Sequence, residues 1–270
     1  MMAVETVFQS ADISAPALIN PTDTTEKIKD FPKICVSTFS DNIIRKFASM
    51  ENVEQIARLY TANGAMPVYK LRYKDTDIAF FQSRVGAPAC VVGFEEIVAM
   101  GAERFVLFGS CGVLDDEKVN GRVIIPVSAV RDEGTSYHYA APSPEIEADE
   151  QCVNVLEHVL QASGCPYVKG KTWTTDGIYR ETFPMIQKRK EQGCLAVEME
   201  CASMLAVSQY RKIPFIQFLY GADNLDDDKW EIRDLMQYGL NSAEKYMALA
   251  FECGLAMEKS IEHKEHIMIE

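Results

Sequence analysis

Buried strands alternate with helix-like segments and glycine-rich sequences in the middle of this chain. The apolar run Phe105 to Phe108 is followed by Gly109-Ser110-Cys111-Gly112, which we predict to be a turn. A helix-like segment at 89–100 precedes this run, and a further apolar strand at 123–130 follows it. Strands, glycine-rich turns and helices in alternation predict a sheet whose strands are connected by crossover helices.

Three β-rich segments precede this region and are separated by short turn sequences. The turn sequences are Asn63-Gly64 and Lys74-Asp75, which favour tight connections between neighbouring strands. The predicted strands are 56–62, 68–73 and 78–83. An antiparallel meander joined to crossover units predicts the α/β class, with a mixed central β-sheet flanked by helices.

The domain organisation follows from the absence of repeats, linkers and low-complexity segments in the 270 residues. Residues 1–30 are polar and irregular, with Pro16 and Pro21, and we predict an N-terminal arm there. We expect residues 31–270 to form a single domain, a length that buries a substantial core.

The charge and cysteine content narrow the possible partners and the compartment. A net charge of −13 is opposite to that of proteins that track a phosphate backbone, so we expect no nucleic-acid partner. No apolar run approaches the roughly 20 residues of a membrane helix, so we expect no membrane partner. Eight cysteines without a CxxC pair suggest reduced thiols and a cytoplasmic protein. The four histidines show no metal-ligand spacing.

Four polar or glycine-rich sequences follow predicted strands. Ligands of open α/β sheets bind at the carboxyl ends of strands, so these sequences predict one shared small-molecule pocket. They are Gly109 to Gly112, Thr174 to Asp176, Glu198 to Glu200, and Gly221 to Asn224.

The sequence Glu198-Met199-Glu200 is the most informative of the four. Three apolar residues precede it and a helix-like run, Cys201 to Arg211, follows. Carboxylates in an otherwise buried segment cost free energy unless they bind something, which makes both glutamates candidate ligand-binding residues. The alternative is a strand end whose glutamates lie in solvent.

Several segments together resemble the nucleoside phosphorylase/nucleosidase superfamily over roughly residues 30 to 258, and their order along the chain agrees with that family. The segments are Ala196 to Ala202, Phe108 to Gly112, Gly121 to Pro126, Asp132 to Tyr139, and Trp173 to Asp176. The resemblance implies a three-layer fold and cleavage of the N-glycosidic bond of a nucleoside. Phosphate attacks C1′ of the sugar in the phosphorylases, and water does so in the nucleosidases.

The resemblance also implies which residues contact the sugar and which residue protonates the leaving base. It places Glu200 on the ribose 2′- and 3′-hydroxyls, with Met199 beneath the sugar and Glu198 beside them. A carboxylate suits a diol because charge-assisted hydrogen bonds are the stronger ones. Asp223 aligns with the acid that protonates the purine in bacterial purine phosphorylases. Ordinary core packing of Met199 and a plain turn at Asp223-Asn224 are the structural alternatives.

The base and phosphate positions are assigned in the same way. Trp173 occupies the place of an aromatic residue against the base, with Thr174 and Asp176 beside it; a core tryptophan is the alternative. Ser110, with Gly109, matches the position that contacts phosphate, where the amides of a turn form an anion nest. The Gln-x-Arg pair of uridine phosphorylases is not visible after Asp176, which favours a purine nucleoside.

The arginines that usually hold phosphate in this family are missing. Ile43 and Leu107 stand at two of their positions, and Arg72 is the candidate for a third, which comes from a neighbouring subunit. Other arginines could replace them, the nucleophile could be water, or the protein could bind a nucleoside without turnover. Candidate replacements are Arg45, Arg84, Arg131 and Arg180. His138 is either a contact across a subunit boundary or a structural histidine.

These features together predict a nucleoside phosphorylase that favours purine nucleosides. Inorganic phosphate is the expected co-substrate, and we expect no metal or organic cofactor. The family implies a homo-oligomer, either a dimer or a ring of dimers. A hydrolytic nucleosidase and a non-catalytic nucleoside-binding protein remain the alternatives.

Overall fold

The computed structural model of the protein describes residues 12–62, 64–226, 230–233 and 243–267, with side chains of the last helix described as far as Ser260. The strands in chain order are β1 (Ile34–Thr38), β2 (Val53–Thr61), β3 (Gly64–Tyr73), β4 (Thr76–Gln82), β5 (Arg104–Val113), β6 (Val123–Asp132), β7 (Glu145–Glu147), β8 (Tyr167–Thr175), β9 (Cys194–Glu198) and β10 (Phe215–Asn224). The α-helices are α1 (Pro21–Thr24), α2 (Asp41–Ala48), α3 (Ala87–Met100), α4 (Asp116–Val119), α5 (Glu150–Ala162), α6 (Phe183–Glu191), α7 (Cys201–Arg211) and α8 (Ala243–Ile267). Two 3-10 turns, η1 (Thr135–His138) and η2 (Ile178–Arg180), complete the described elements.

All of these strands belong to one mixed sheet in which β5 is central. Strand β5 pairs with β10, β1 and β9. Strands β5, β10, β6, β8 and β9 pair in this order, and β9 pairs with β5 again, so these five strands form a closed ring. Beyond β1 the sheet continues through β4, β3 and β2, whose pairings β4–β3 and β3–β2 are antiparallel. The meander and the mixed sheet that the sequence predicts are therefore confirmed.

Helices cover both faces of the sheet and form three layers. Helices α2, α5 and α8 pack on one face, and α3 and α7 pack on the other. Along β5, Val106 and Phe108 belong to the first core cluster, while Phe105 and Leu107 belong to the second. This period of two explains why the strand is a continuous apolar run, since both of its faces are buried.

Several predicted elements agree with the structure and others needed correction. Helix α7 has the predicted bounds, and α2 begins where Ser40 accepts a hydrogen bond from the Ile43 amide. Strand β7 was not predicted. The sequence also predicts a long final helix over residues 235–259. The structure describes this helix from Ala243 onwards, and residues 234–242 lie outside the described residues. The arm prediction for residues 1–30 falls partly on residues 1–11, which are also outside them.

The predicted turn at Gly109 to Gly112 is wrong, and the sequence Gly221 to Asn224, expected to follow a strand, belongs to one. Gly109 to Gly112 continues β5, which pairs with β10 up to Val113 and with β9 at Gly112 and Val113. Gly221 to Asn224 continues β10, with a bulge between Gly221 and Asp223. Long-range pairing on both sides of β5 overrides the local preference of glycine for turns.

Glycine is required at Gly109 and Gly112 because other groups approach the backbone closely. A Cβ on Gly109 would lie 2.6 Å from the Phe39 ring, and one on Gly112 would lie 2.5 Å from Leu225. Neither glycine has a positive φ angle. The absence of a side chain, rather than conformational freedom, is therefore the property that the strand uses here.

Two further sequence expectations concern cysteines and membrane helices. All eight cysteines are free, and seven are buried, as expected for reduced thiols. Among the described residues, no helix has the length and apolar character needed to cross a membrane.

We predict that G109A lowers the free energy of unfolding by about 1–3 kcal/mol, because the new methyl group must displace the Phe39 ring. Gly93 in α3 is the matched control, because its added Cβ would make an ordinary contact with Phe81 at 3.6 Å. G93A should therefore leave the stability unchanged or raise it slightly. Chemical denaturation of both variants measures the difference, and equal stabilities would contradict this account of Gly109.

Candidate active site

A cleft of about 520 Å³ opens beside the carboxyl-terminal half of β5. Strand β1 leaves the edge of β5 after Thr38, which is opposite Phe108, and β9 takes up the same edge only at Gly112. The gap between β1 and β9 forms the cleft. Its lining residues are Phe39 to Asn42, Gln82, Val85, Ser110 to Gly112, Ile178, Glu181, Val197 to Glu200, Asp223 and Leu225.

Glu198 connects the end of β9 to the first turn of α7. Its Oε2 accepts hydrogen bonds from the Glu200 and Cys201 amides at 2.7 and 2.6 Å, and its Oε1 accepts one from the Thr174 hydroxyl at 2.6 Å. The Thr174 hydroxyl in turn accepts the Ala202 amide at 2.9 Å. These contacts satisfy amides that have no partner within the helix. Glu198 lines the cleft, but both of its oxygens are occupied within the protein.

Glu200 is the carboxylate that α7 presents to the cleft. It occupies the N-cap position of that helix, and its Oε1 accepts a hydrogen bond from the Gly86 amide. Burial, and secondarily the charge of Glu198, raise the pKa of Glu200 to about 8. No salt bridge to Glu200 occurs among the residues that the structure describes. Met199 lies beside it in the cleft wall and is partly exposed.

Asp223 reaches the cleft from the bulged end of β10. Its Oδ2 accepts a hydrogen bond from the Trp230 indole at 2.7 Å, and a Cβ at Gly112 would lie 3.6 Å from its Oδ1. Burial raises the pKa of Asp223 above its ordinary value, while the Trp230 hydrogen bond lowers it. Because the bulge interrupts the register of β10, the strand places this carboxyl over the floor of the cleft.

Glu181 is a cleft residue that the sequence analysis missed. It follows η2, and burial together with the charge of Asp223 raises its pKa to about 7. The only signal in the sequence was a carboxylate shortly after Thr174-Thr175-Asp176, which no pattern distinguished from a surface residue. The first turn of α2, with Ser40 and Asp41, was likewise not predicted to line the cleft.

None of the three predicted base-binding residues, Trp173, Thr174 and Asp176, lines the cleft. Trp173 is 1% exposed, its Nε1 donates to Asp132 Oδ2 at 2.9 Å, and Arg189 lies over its ring. Thr174 is fully buried, and its hydroxyl accepts a hydrogen bond from the Ala202 amide of α7. Asp176 is exposed and accepts a hydrogen bond from the Gly134 amide.

The two predicted phosphate-binding residues have different surroundings. Ser110 lines the floor of the cleft and is partly exposed. Gly109 is covered by the Phe39 ring and does not line it. Because this segment is a strand rather than a turn, it does not provide the nest of amides that the sequence suggested.

The candidate cationic residues lie outside the cleft. Arg72 forms an exposed pair with Asp77, and His138 and Arg180 are exposed. No lysine, arginine or histidine occurs among the described lining residues.

The other candidate arginines are engaged in contacts of their own. Arg84 donates to the Gly64 carbonyl, and Arg131 is enclosed by the 136–143 loop. Arg45 pairs with Asp41 at 2.7 Å and is therefore the candidate that contacts a lining residue.

The arrangement can bind a neutral, polyhydroxylated ligand and supply protons to it. Four of the lining carboxyls, Glu181, Glu198, Glu200 and Asp223, have pKa values that burial raises. Within the described part of the chain, no three His, Cys, Asp or Glu residues are placed to hold a metal ion.

The comparisons with known proteins agree with this fold. The profile of the Phosphorylase superfamily matches residues 33–252, so the chain belongs to that superfamily. A guanosine phosphorylase from Halorubrum lacusprofundi is 24% identical over 153 residues, which are 57% of this chain and 64% of that protein. The alignment thus spans less than two thirds of that relative.

Two solved structures share the fold. A uridine phosphorylase from Vibrio fischeri superposes with a TM-score of 0.69 and 22% identity, covering 87% of this chain and 95% of that one. An AMP nucleosidase from Bacteroides thetaiotaomicron superposes with a TM-score of 0.68 and 20% identity, covering 87% and 91%. The predicted superfamily and the predicted α/β fold with helices on both faces of a mixed sheet are confirmed.

The buried glutamates predict how stability depends on pH. The pKa of Glu200 is about 8 in the folded protein against an ordinary value of 4.5, so the folded state binds more protons than the unfolded state between these values. The stability due to protonated Glu200 is present below pH 4.5 and is lost as the pH rises towards 8. We expect E200Q to flatten the fall in melting temperature over this interval. Identical pH dependences in the wild type and E200Q would contradict the raised pKa.

Proposed function

We propose that the chain cleaves the N-glycosidic bond of a nucleoside in this cleft and releases the free base. The observation that carries the proposal is that Glu200 and Asp223, on the ends of different elements, line one cleft large enough for a nucleoside. One carboxyl suits the sugar and the other suits the base. Membership of the Phosphorylase superfamily supports the same reaction class.

Glu200 is the proposed sugar ligand. A carboxylate held by the Gly86 amide on one side can accept hydrogen bonds from two vicinal hydroxyls on the other. In the transition state the sugar acquires oxocarbenium character. This positive charge favours the ionised form of Glu200 over the protonated form that its raised pKa favours in the free protein, and the carboxylate in turn stabilises the sugar. Met199 supplies the adjacent apolar wall, whereas Glu198 supports Glu200 by fixing the first turn of α7.

Asp223 is the proposed acid for the leaving base. A purine departs slowly as an anion, and a carboxyl with a raised pKa can protonate it. Glu181 lies in the same cleft and is proposed to contact the base, because its carboxyl has a pKa of about 7 and can donate as well as accept. Two such groups suit a purine, which presents several ring nitrogens, and a purine nucleoside remains the favoured substrate.

Phosphate is the first candidate for the nucleophile. The N-terminus of α2, with Ser40 and Asn42, and the Ser110 hydroxyl face the cleft. Free amides at a helix N-terminus attract anions. The relatives named guanosine phosphorylase and uridine phosphorylase favour the same nucleophile. In this reaction inorganic phosphate is a co-substrate, and the chemistry requires no metal or organic cofactor.

Water is the second candidate, and the charge of the lining favours it. Asp41, Glu181, Glu200 and Asp223 all line the cleft, and no basic residue does so among the described residues. A phosphate dianion would meet repulsion there unless a cation is supplied. Phosphate held without bidentate arginines is also held less well.

The choice between these reactions is tested by measuring free base released from purine and pyrimidine nucleosides, with and without inorganic phosphate. We expect release from purine nucleosides that depends on phosphate and yields ribose 1-phosphate. Equal release in both buffers would show hydrolysis instead. Binding in calorimetry without any base release would show a nucleoside-binding protein and would refute both reactions.

We predict that D223N lowers kcat for purine nucleosides by about 10²- to 10⁴-fold, because the amide cannot supply the proton. The KM should change much less, since the side chain keeps its shape. D77N is the matched control, because Asp77 pairs with Arg72 on the meander, outside the cleft lining. Steady-state kinetics of both variants measure the effect, and an unchanged kcat in D223N would refute the acid role.

We also propose a homo-oligomer, a dimer or a ring of dimers, as the family implies. The exposed apolar residues Tyr60, Val85 and Val92 are consistent with a covered surface. Light scattering decides this, because a mass near the 30.3 kDa of one chain would contradict it.

A further inference from the structure

Trp230 has an unusual environment for a tryptophan. Its side chain is 56% exposed, yet its indole N–H is directed at Asp223, with Nε1 2.7 Å from Oδ2. The other tryptophan, Trp173, is buried in the core and donates to Asp132. A large apolar ring that gains little from burial here still makes a hydrogen bond to the proposed acid, and neither the sequence motifs nor the proposed reaction accounts for this contact.

The backbone next to Trp230 is fixed against the end of β10. Asn224 and Glu231 form an isolated antiparallel bridge, in which each amide donates to the other's carbonyl at 2.9 and 3.0 Å. Arg233 then pairs with both oxygens of Asp116 at 2.7 and 2.9 Å. Because Asn224 directly follows Asp223, the bridge fixes Trp230 relative to the acid itself.

The two oxygens of Asp223 have different surroundings. Trp230 occupies Oδ2, while Oδ1 lies beside Gly112, whose added Cβ would be 3.6 Å away. Gly112 belongs to the cleft lining. The indole thereby restrains the rotation of the carboxyl and leaves Oδ1 at the floor of the cleft.

We propose that Trp230 is a positioning residue for Asp223, whose N–H holds Oδ2 and orients Oδ1 towards the leaving base. The proposal rests on the proposed function, since it assigns Asp223 the role of acid. The proton passes from Asp223 to a ring nitrogen of the base as the glycosidic bond breaks, and the carboxylate that remains is stabilised by the indole N–H. Trp230 itself exchanges no proton.

Other titratable and charged groups near Asp223 affect its pKa. Glu181 faces it from the segment after η2, the Cys111 thiol faces it from β5, and Arg233 lies on the same segment as Trp230. Burial raises the pKa of Asp223, and the Trp230 hydrogen bond and Arg233 lower it. Removing the indole N–H therefore raises the pKa further, because an ionised carboxylate loses a donor.

The first test is the pH profile of kcat for W230F with the purine nucleoside that is turned over best. We expect the loss of activity with rising pH to occur at a higher pH than in the wild type. We also expect kcat at the optimum to fall roughly tenfold, with KM changed less, because a misoriented acid transfers its proton less well. W230Q, which restores an N–H donor, should return the profile towards that of the wild type. A pH profile unchanged in W230F would overturn the proposal.

A double-mutant cycle separates positioning from a general structural effect. If Trp230 acts through Asp223, then D223N/W230F should turn over as slowly as D223N alone. A further tenfold loss in the double variant would show that Trp230 acts independently, which would overturn the proposal.

The second test needs no substrate. Subtracting the fluorescence of W230F from that of the wild type gives the emission of Trp230. We expect this emission to change with pH as Asp223 loses its proton. The same difference between D223N and D223N/W230F should not titrate with that midpoint. A Trp230 signal with the same midpoint in both backgrounds would overturn the contact. If no nucleoside is cleaved, the proposed function fails, while this titration still decides whether Trp230 and Asp223 are coupled.

Discussion

The carboxylate of Glu198 joins three elements at one point, and the geometry of the cleft depends on that junction. One of its oxygens accepts two amides from the start of α7, and the other accepts the Thr174 hydroxyl from the end of β8. Thr174 completes the arrangement by accepting a third amide of the helix. Helix α7 is thereby fixed to β8 and β9 at its first turn, which is where Glu200 enters the cleft. An apolar residue at 198 would leave these amides without an acceptor inside the protein.

Burial of several carboxyls without basic partners gives the site its chemical character. Glu198, Glu200 and Glu181 have pKa values of about 7 to 8, because desolvation disfavours their charged forms more than the available hydrogen bonds favour them. Groups in this range can exchange protons near neutral pH. The lack of basic partners also makes binding of an anionic co-substrate unfavourable. The same set of carboxyls therefore suits proton transfer and bears on whether phosphate or water is the nucleophile.

Local pattern predicted the elements well, and it failed where long-range pairing decided the outcome. The three strands of the meander form in the expected order, and α7 has the expected bounds. Gly109 to Gly112 was predicted to be a turn because glycine is common in turns. The segment is a strand because β10 and β9 pair with it and because Phe39 and Leu225 need the space above its glycines. Trp173 shows the same limitation, since its distance from the cleft depends on contacts with Asp132 and Arg189 that no spacing reveals.

The α/β class, the superfamily and three of the carboxylates in the cleft lining, Glu198, Glu200 and Asp223, follow from the sequence alone. Alternation of apolar runs with helical segments and a few short motifs suffice for this, because they are local properties of the chain. The tertiary fold is what makes Glu198 and Thr174 support α7 and brings Glu181 and Trp230 close to Asp223. Most of these contacts link residues that are far apart in the sequence, and the contact of Trp230 with Asp223 depends on a bulge and a β-bridge. They arise from packing and desolvation, which no local pattern of the sequence reveals.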